Sequence, residues 1–109
     1  MSKRAHERDG LKRVGYWYST YEPDLPMPEE TEWSEEDKEA VCKYLDEGEV
    51  YGTYRGMSTC RVCEKFNGHQ DLTDGFWVWP NGLSHYIREH NTKLPLEFLM
   101  HVERELKGA

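Results

Sequence analysis

The chain has 109 residues and carries 21 acidic against 14 basic side chains, a formal net charge of −7. This length is typical of one domain. The 37% of hydrophobic residues provide only a modest core, whereas 13% of aromatic residues argue against general disorder. No apolar run is long enough to span a bilayer, and the residues after Met1 lack the apolar stretch of a signal peptide, so we expect a cytoplasmic protein without membrane association.

The N-terminal part of the chain changes character twice. Residues 1–13 are polar and mixed in charge, which predicts a mobile arm ahead of one domain over residues 14–109. In residues 14–21, the aromatic strap, Tyr16, Tyr18 and Thr20 alternate with Trp17, Ser19 and Tyr21, which predicts a short strand or extended segment. The strap either covers the core of its own domain or presents an aromatic patch to a partner. Three prolines between residues 23 and 28 exclude a helix and predict an extended spacer.

An acidic helix is predicted over about residues 34–47. Ser34 can cap its N-terminus, three carboxylates follow in the first turn, and Gly48 provides the stop. Residues 22–53 contain twelve acidic and two basic side chains, so the outward face of this helix is almost entirely carboxylate. That face is either only solvated, or it binds a basic partner or imitates nucleic-acid phosphates. Cys42, on the same helix, is interpreted as a small buried hydrophobic residue.

The strongest chemical signal is a Cys-x2-Cys-x21-His-x4-His pattern formed by Cys60, Cys63, His85 and His90. Two thiolates and two imidazoles are the usual ligands of a closed, structural zinc site. A two-residue gap lets one tight turn direct both sulfurs at one ion. In a reducing compartment, paired cysteines bind metal more often than they form disulfides.

The two histidines are the geometrically difficult part of this pattern. Five residues apart on an ideal helix, His85 and His90 diverge by roughly 140°. Both can reach one ion only if the helix loosens near His90. His69 and His101 are therefore held in reserve, since each could replace one of the two ligands.

The remaining elements surround this zinc module, which we place at about residues 54–92. A strand is predicted over 50–55, and Asp74-Gly75 predicts a hairpin turn with Trp77 and Trp79 on one strand face. A helix follows Pro80, and an apolar stripe predicts a last helix over about 95–107. The expected fold is α+β: a small zinc-stabilised domain with a β-hairpin plus helix, zinc-finger or treble-clef-like, and flanking helices.

These residues carry a resemblance. The cysteine pair, the Leu72-Thr73-Asp74-Gly75 turn and a Trp-Pro-x-Gly-Leu-x-His-Tyr-x-x-Glu-His run over residues 79–90 resemble a group of small uncharacterised bacterial proteins with a zinc-finger-like motif. The match extends back through residues 21–26 and so covers most of the chain after residue 14. The resemblance implies one domain and a metal site, and it implies no reaction.

The expected function is a non-enzymatic protein-interaction module held by structural zinc. Four protein ligands leave no open metal position, and the common hydrolase, deaminase and phosphate-binding motifs are missing. Glu89, next to His90, is interpreted as a solvated or second-shell carboxylate rather than a general base.

The alternative function is a nucleic-acid-binding zinc finger. It would use basic side chains and aromatic stacking surfaces from the zinc module, namely Arg55, Arg61, Lys65 and Arg88 with Tyr54, Phe66, Trp77 and Trp79. The acidic segment that precedes the module is a poor electrostatic match for phosphates.

Overall fold

A computed structural model describes residues 10–18, 22–53 and 58–108 of the chain. Within these ranges the protein has an α+β fold with one four-stranded mixed sheet and three helices. None of these helices is long and apolar enough to cross a membrane. The strands are β1 (Lys12–Arg13), β2 (Glu49–Thr53), β3 (Gln70–Thr73) and β4 (Trp77–Pro80), and the helices are α1 (Glu35–Asp46), α2 (Leu83–His90) and α3 (Leu96–Gly108).

The sheet is built on the predicted hairpin, which is confirmed as β3 and β4. Its strand order is β1-β4-β3-β2. The pairs β2–β3 and β3–β4 are antiparallel, and β1 pairs parallel with β4. Gly75 adopts a φ of 95° in the turn, a conformation that favours glycine. The Asp74 carboxylate accepts hydrogen bonds from the backbone N–H groups of Phe76 and Trp77, both at 2.9 Å, and so closes the turn.

The sheet begins earlier in the chain than the sequence indicates. Of the mobile arm predicted over residues 1–13, residues 1–9 lie outside the described ranges, whereas Lys12 and Arg13 pair with β4. The backbone N–H of Lys12 donates to the carbonyl of Phe76 at 3.1 Å. A two-residue strand has too little periodicity for a sequence pattern to reveal it.

The aromatic strap follows β1 and covers the core of its own domain, the first of its two predicted roles. Val14 is 4% exposed, and Trp17 packs against the core with its ring edge-on to Tyr86 at 5.8 Å between centroids. The hydroxyl of Tyr16 donates to the buried Asp71 carboxylate at 2.7 Å. Residues 19–21, at the end of the strap, lie outside the described ranges.

The acidic helix is observed as α1, close to its predicted bounds. The hydroxyl of Ser34 accepts a hydrogen bond from the backbone N–H of Asp37 at 3.1 Å, which is the predicted N-terminal cap. Its inward face buries Val41, Cys42 and Leu45. The acidic side chains of its first turn are exposed.

Strand β4 lies at the centre of the core. Trp77 and Trp79 are both buried, and Val78 between them is fully buried, so the strand is covered on both faces. Both indole rings pack edge-on against Phe98 of α3, with centroid distances of 5.1 and 5.9 Å. The indole N–H of Trp79 donates to the carbonyl of Leu45 at 3.2 Å, which joins α1 to the sheet.

A partly buried polar cluster joins the hairpin turn to two helices. The Tyr44 hydroxyl of α1 donates to the Asp74 carboxylate, and Nε2 of His101 on α3 lies 2.7 Å from the same oxygen. Burial acts to raise the pKa of Asp74, but hydrogen bonds from Tyr44, from the turn N–H groups and from His101 outweigh it and lower that pKa overall. The carboxylate is therefore held ionised where three elements meet.

We expect Asp74→Ala to lower the free energy of unfolding by about 2–4 kcal/mol, measured by urea denaturation. The substitution leaves the phenol of Tyr44 and the imidazole of His101 without their shared acceptor. Asp24 is exposed, and Asp24→Asn should change the stability by less than about 0.5 kcal/mol. A loss for Asp74→Ala no larger than that of the control would contradict the role assigned to the cluster.

The same carboxylate predicts a pH dependence of stability. Because the pKa of Asp74 is lower in the folded state than in the unfolded chain, its contribution is complete above the unfolded value of about 3.9. The contribution is lost as the pH falls from there through the folded-state pKa. Wild-type protein should therefore lose more stability below about pH 4 than Asp74→Asn does, in denaturation curves recorded across acid pH. Parallel losses in the two proteins would be the contrary result.

Candidate metal centre

The four predicted ligands meet at one point of the fold. One ligand atom from each of Cys60, Cys63, His85 and His90 lies within 4.8 Å of the other three. The Sγ of Cys63 is 3.4 Å from Nε2 of His85, and the two imidazole centroids are 5.2 Å apart. These side chains therefore lie close enough to bind a metal ion.

The separations suit a tetrahedral ion. With metal–sulfur bonds near 2.3 Å and metal–nitrogen bonds near 2.0 Å, tetrahedral angles place neighbouring ligand atoms about 3.3–3.8 Å apart. The contact between Cys63 and His85 already falls in that range. Small rotations of the remaining side chains would bring the other pairs, all within 4.8 Å, to the same spacing.

Both sulfurs belong to a small loop whose turn directs them towards the two imidazoles. The turn is closed by hydrogen bonds from the N–H of Glu64 to the carbonyl of Cys60 and from the N–H of Cys60 to the carbonyl of Lys65, both at 2.9 Å. Glu64 adopts a φ of 64° at the end of the turn. The backbone N–H of Val62 donates to the Sγ of Cys60 at 3.4 Å.

Two glycines bring this loop against the helix that carries the histidines. Gly68 has a φ of 99°, and a Cβ on it would lie 1.9 Å from the Asn81 side-chain oxygen. A Cβ on Gly82, directly before α2, would lie 2.1 Å from the backbone carbonyl of Asn67. Only glycine permits this approach, since real Cβ contacts do not fall below 3.0 Å.

Helix α2 is fixed in turn by α1. The Ser84 hydroxyl donates to the Asp46 carboxylate at 2.6 Å, and the Arg88 guanidinium donates to its other oxygen at 2.8 Å. Because Ser84 precedes His85 directly, this bond sets the rotation of the helix that aims the ring. The helix ends at His90, and Asn91 follows in the left-handed conformation with a φ of 51°. The regular helix therefore runs through His90 and ends directly after it, close to where the sequence requires it to loosen, and the two rings converge at the end of the helix.

The environments of His85 and His90 favour metal binding by their ring nitrogens. Nε2 of His90 is shielded from solvent and, within the described residues, has no hydrogen-bond partner. A buried polar atom of this kind is costly unless something occupies the position it faces. Burial, followed by the nearby His90, lowers the pKa of His85, so its imidazole is neutral at physiological pH, as metal binding requires.

Tyr86 and Arg61 connect the cysteine loop to the neighbouring elements. The buried Tyr86 hydroxyl accepts a hydrogen bond from the N–H of Arg61 at 2.8 Å, which ties α2 to the cysteine loop. Burial raises the pKa of this phenol, so it stays protonated. The guanidinium of Arg61 also donates to the carbonyl of Tyr18 at 2.6 Å and thereby attaches the strap to the loop.

The other candidate side chains lie apart from the four. His101 is engaged with Asp74, and His69 is exposed and outside the group. Cys42 is fully buried, with its Sγ 3.8 Å from the carbonyl of Ser84, which agrees with its interpretation as a core residue. Glu89 is exposed and acts on His85 by charge, raising its pKa against the effect of burial.

Sequence reasoning missed the residues that hold the ligands in place. In the sequence, the asparagine-glycine pair at 67 and 68 predicts only a turn, and Gly82 predicts only the start of a helix. Asp46 looked like one carboxylate among many on an acidic helix. The two-glycine spacing at 68 and 82 was the available signal, but nothing in it indicates that the two turns touch.

Comparison with protein-family models, with functionally curated proteins and with solved structures finds no match to this chain.

We expect Gly82→Ala to weaken metal binding at least about tenfold and to destabilise the protein by about 1–3 kcal/mol. The added methyl group must push the Asn67 carbonyl away and so separate the sulfurs from the imidazoles. Gly52→Ala is the matched control, because nothing lies within 4 Å of its Cβ position. Competition of each protein with a chromophoric chelator gives the affinities. Equal affinities for the two variants would refute the proposed docking of loop and helix.

Proposed function

We propose that the protein is a non-enzymatic zinc-binding module for protein–protein interaction, with a structural Cys2His2 site formed by Cys60, Cys63, His85 and His90. The observation that carries this proposal is the convergence of two sulfurs and two imidazoles within 4.8 Å. The buried nitrogen of His90, which lacks a hydrogen-bond partner among the described residues, supports it.

The donor set favours zinc over other metals. Two sulfurs and two imidazole nitrogens in a tetrahedral arrangement suit Zn²⁺, whereas oxygen-rich octahedral sites suit magnesium, calcium or manganese. Four protein ligands fill a tetrahedral shell, while catalytic zinc usually has three and keeps one position for water. A closed shell therefore favours a structural role. A cysteine loop combined with a helix that supplies two histidines is also the arrangement expected of a zinc-finger or treble-clef-like unit.

A structural ion would offset the small core of this chain. Structural zinc contributes roughly 10–16 kcal/mol of apparent binding free energy in small domains at neutral pH. Here it would join the cysteine loop to α2, and α2 to α1 through Asp46.

Several contacts argue against nucleic-acid binding. Trp77 and Trp79 are buried and cannot stack on bases. Arg88 is paired with Asp46 and lies 3.8 Å from Glu39, and Arg61 is engaged by backbone carbonyls. Phe66 is 76% exposed, but it is a single ring. Tyr54 and Arg55 lie outside the described residues.

Protein purified without a histidine tag should contain one zinc per chain by elemental analysis. We expect Cys63→Ser to lose the metal and to lower the melting temperature by at least about 10 °C, because the loop and α2 lose their common ion. Cobalt(II) substitution should give the intense visible absorption of a tetrahedral site in the wild type only.

Cys42→Ala is the matched control for this experiment. It removes a buried cysteine outside the metal group and should cost no more than about 1–2 kcal/mol while retaining zinc. Chelation of the wild type should unfold the region after residue 58, visible as a loss of far-ultraviolet circular dichroism. Metal-free protein with full secondary structure and an unchanged melting temperature would defeat the proposal.

A further inference from the structure

A groove runs along the surface between α1 and α3. It encloses a volume of about 410 Å³ and is lined on the α1 side by Asp37, Ala40 and Val41. Trp33 stands at one end, where a second hollow of about 310 Å³ continues towards residues 31–34. The two hollows share four lining residues and therefore form one depression, those residues being Trp33, Asp37, Leu96 and Leu99.

Helix α3 is apolar on two sides. One side buries Phe98 and Val102 in the core. The other side presents Leu96, Met100 and Leu106 to the groove, and these side chains are 70%, 50% and 48% exposed. Leu96, Leu99 and Met100 lie within about 100° of one another around the helix axis, and Leu106, seven residues after Leu99, extends this apolar stripe on the same side. Within the described ranges nothing covers the stripe, and exposed apolar side chains grouped in this way are characteristic of an interaction site.

Acidic side chains outnumber basic ones around the rim of the groove. Glu32, Asp37 and Glu103 line its two hollows, together with Lys93 and Lys107. Residues 29–39, which lead into and begin α1, contain seven acidic side chains, all exposed, of which Glu39 faces Arg88 of α2, and a single basic one. That basic residue, Lys38, lies 3.8 Å from Glu35 and is mostly covered. On the opposite wall, Lys107 lies 3.5 Å from Glu103, so its charge is already partly compensated.

We propose that this groove binds a cationic amphipathic helix of a partner protein, an inference that rests on the proposed function as a protein-interaction module. Apolar side chains of the partner helix would enter between Trp33, Leu99 and Met100. Its Lys and Arg side chains would face the acidic rim. The stripe from Leu96 to Leu106 is about 15 Å long, enough for roughly three turns of a docked helix.

Charge favours this occupant over a second copy of the chain. Two copies meeting at the groove would bring their acidic walls together, and each copy carries a net charge of −7. The same acidic rim repels nucleic acid and anionic lipid surfaces. A basic helix neutralises the rim and buries the stripe in one contact.

The test uses two labelled peptides of fourteen residues, each with leucines at helical spacing. One peptide carries lysine at all of the remaining positions, and the second carries glutamate at those same positions. Fluorescence anisotropy with zinc-loaded protein should show binding of the lysine peptide and none of the glutamate peptide. Raising the salt concentration from 50 to 500 mM should weaken the binding about threefold or more, because the rim contribution is screened.

Two pairs of variants locate the binding. Leu96→Gln with Met100→Gln should weaken the lysine peptide at least about tenfold, since both side chains are exposed and their loss leaves the core intact. The matched control, Met27→Gln with Val50→Gln, changes two equally exposed apolar side chains outside the groove and should stay within about twofold. Asp37→Asn with Glu103→Gln should weaken binding about threefold more than Glu47→Gln with Glu49→Gln.

Each outcome that would contradict the proposal can be distinguished from the others. Equal affinity for both peptides, or full affinity in Leu96→Gln/Met100→Gln, would overturn the proposal. Sedimentation velocity that shows a dimer dissolved by this variant would assign the groove to a second copy instead. Zinc is measured on the same samples. Failure of peptide binding with one zinc retained rejects the groove alone, whereas peptide binding by folded, metal-free protein rejects the zinc site alone.

Discussion

The close approach of two turns is the constraint on which the rest of the candidate site depends. Two thiols from one loop and two imidazoles from one helix can share an ion only if loop and helix touch. The Asn67 carbonyl reaches Gly82 at a distance that no Cβ would allow, and Gly68 makes the reciprocal contact with Asn81. Loss of side-chain bulk at two positions therefore creates the ligand geometry.

The sheet and the acidic helix extend this constraint through the protein. Strand β3 leads from the cysteine loop into the hairpin, and β4 leads directly into α2, so the hairpin fixes the distance between sulfurs and imidazoles. Asp46 then sets the rotation of α2 through Ser84 and Arg88. At the other end of the hairpin, Asp74 contacts Tyr44 of α1 and His101 of α3 and so joins both helices to the turn. The candidate metal centre and the Asp74 carboxylate thus hold opposite ends of one scaffold.

The sequence was most informative where a pattern is local. The Ser34 cap and the Asp74-Gly75 turn each depend on neighbouring residues, and both were predicted. The ligands followed from donor chemistry and spacing. Contacts between distant segments were not predictable: the pairing of Lys12–Arg13 with β4 and the role of Asp46 arise from tertiary packing that leaves no periodic trace. For the same reason, the burial of the strap was left as one of two alternatives.

The ligands differ in how far they are enclosed, and this has a kinetic consequence. Cys60 is fully buried and the Nε2 of His90 is shielded from solvent, whereas Cys63 and His85 are each partly open to solvent. An ion held here would be anchored by the buried sulfur of Cys60 and would be accessible from the solvent side of the site. A competing small-molecule thiol or a metal-donating protein could displace the outer ligands one at a time while the inner sulfur still holds the ion. Loading and unloading could then proceed stepwise, without opening the fold.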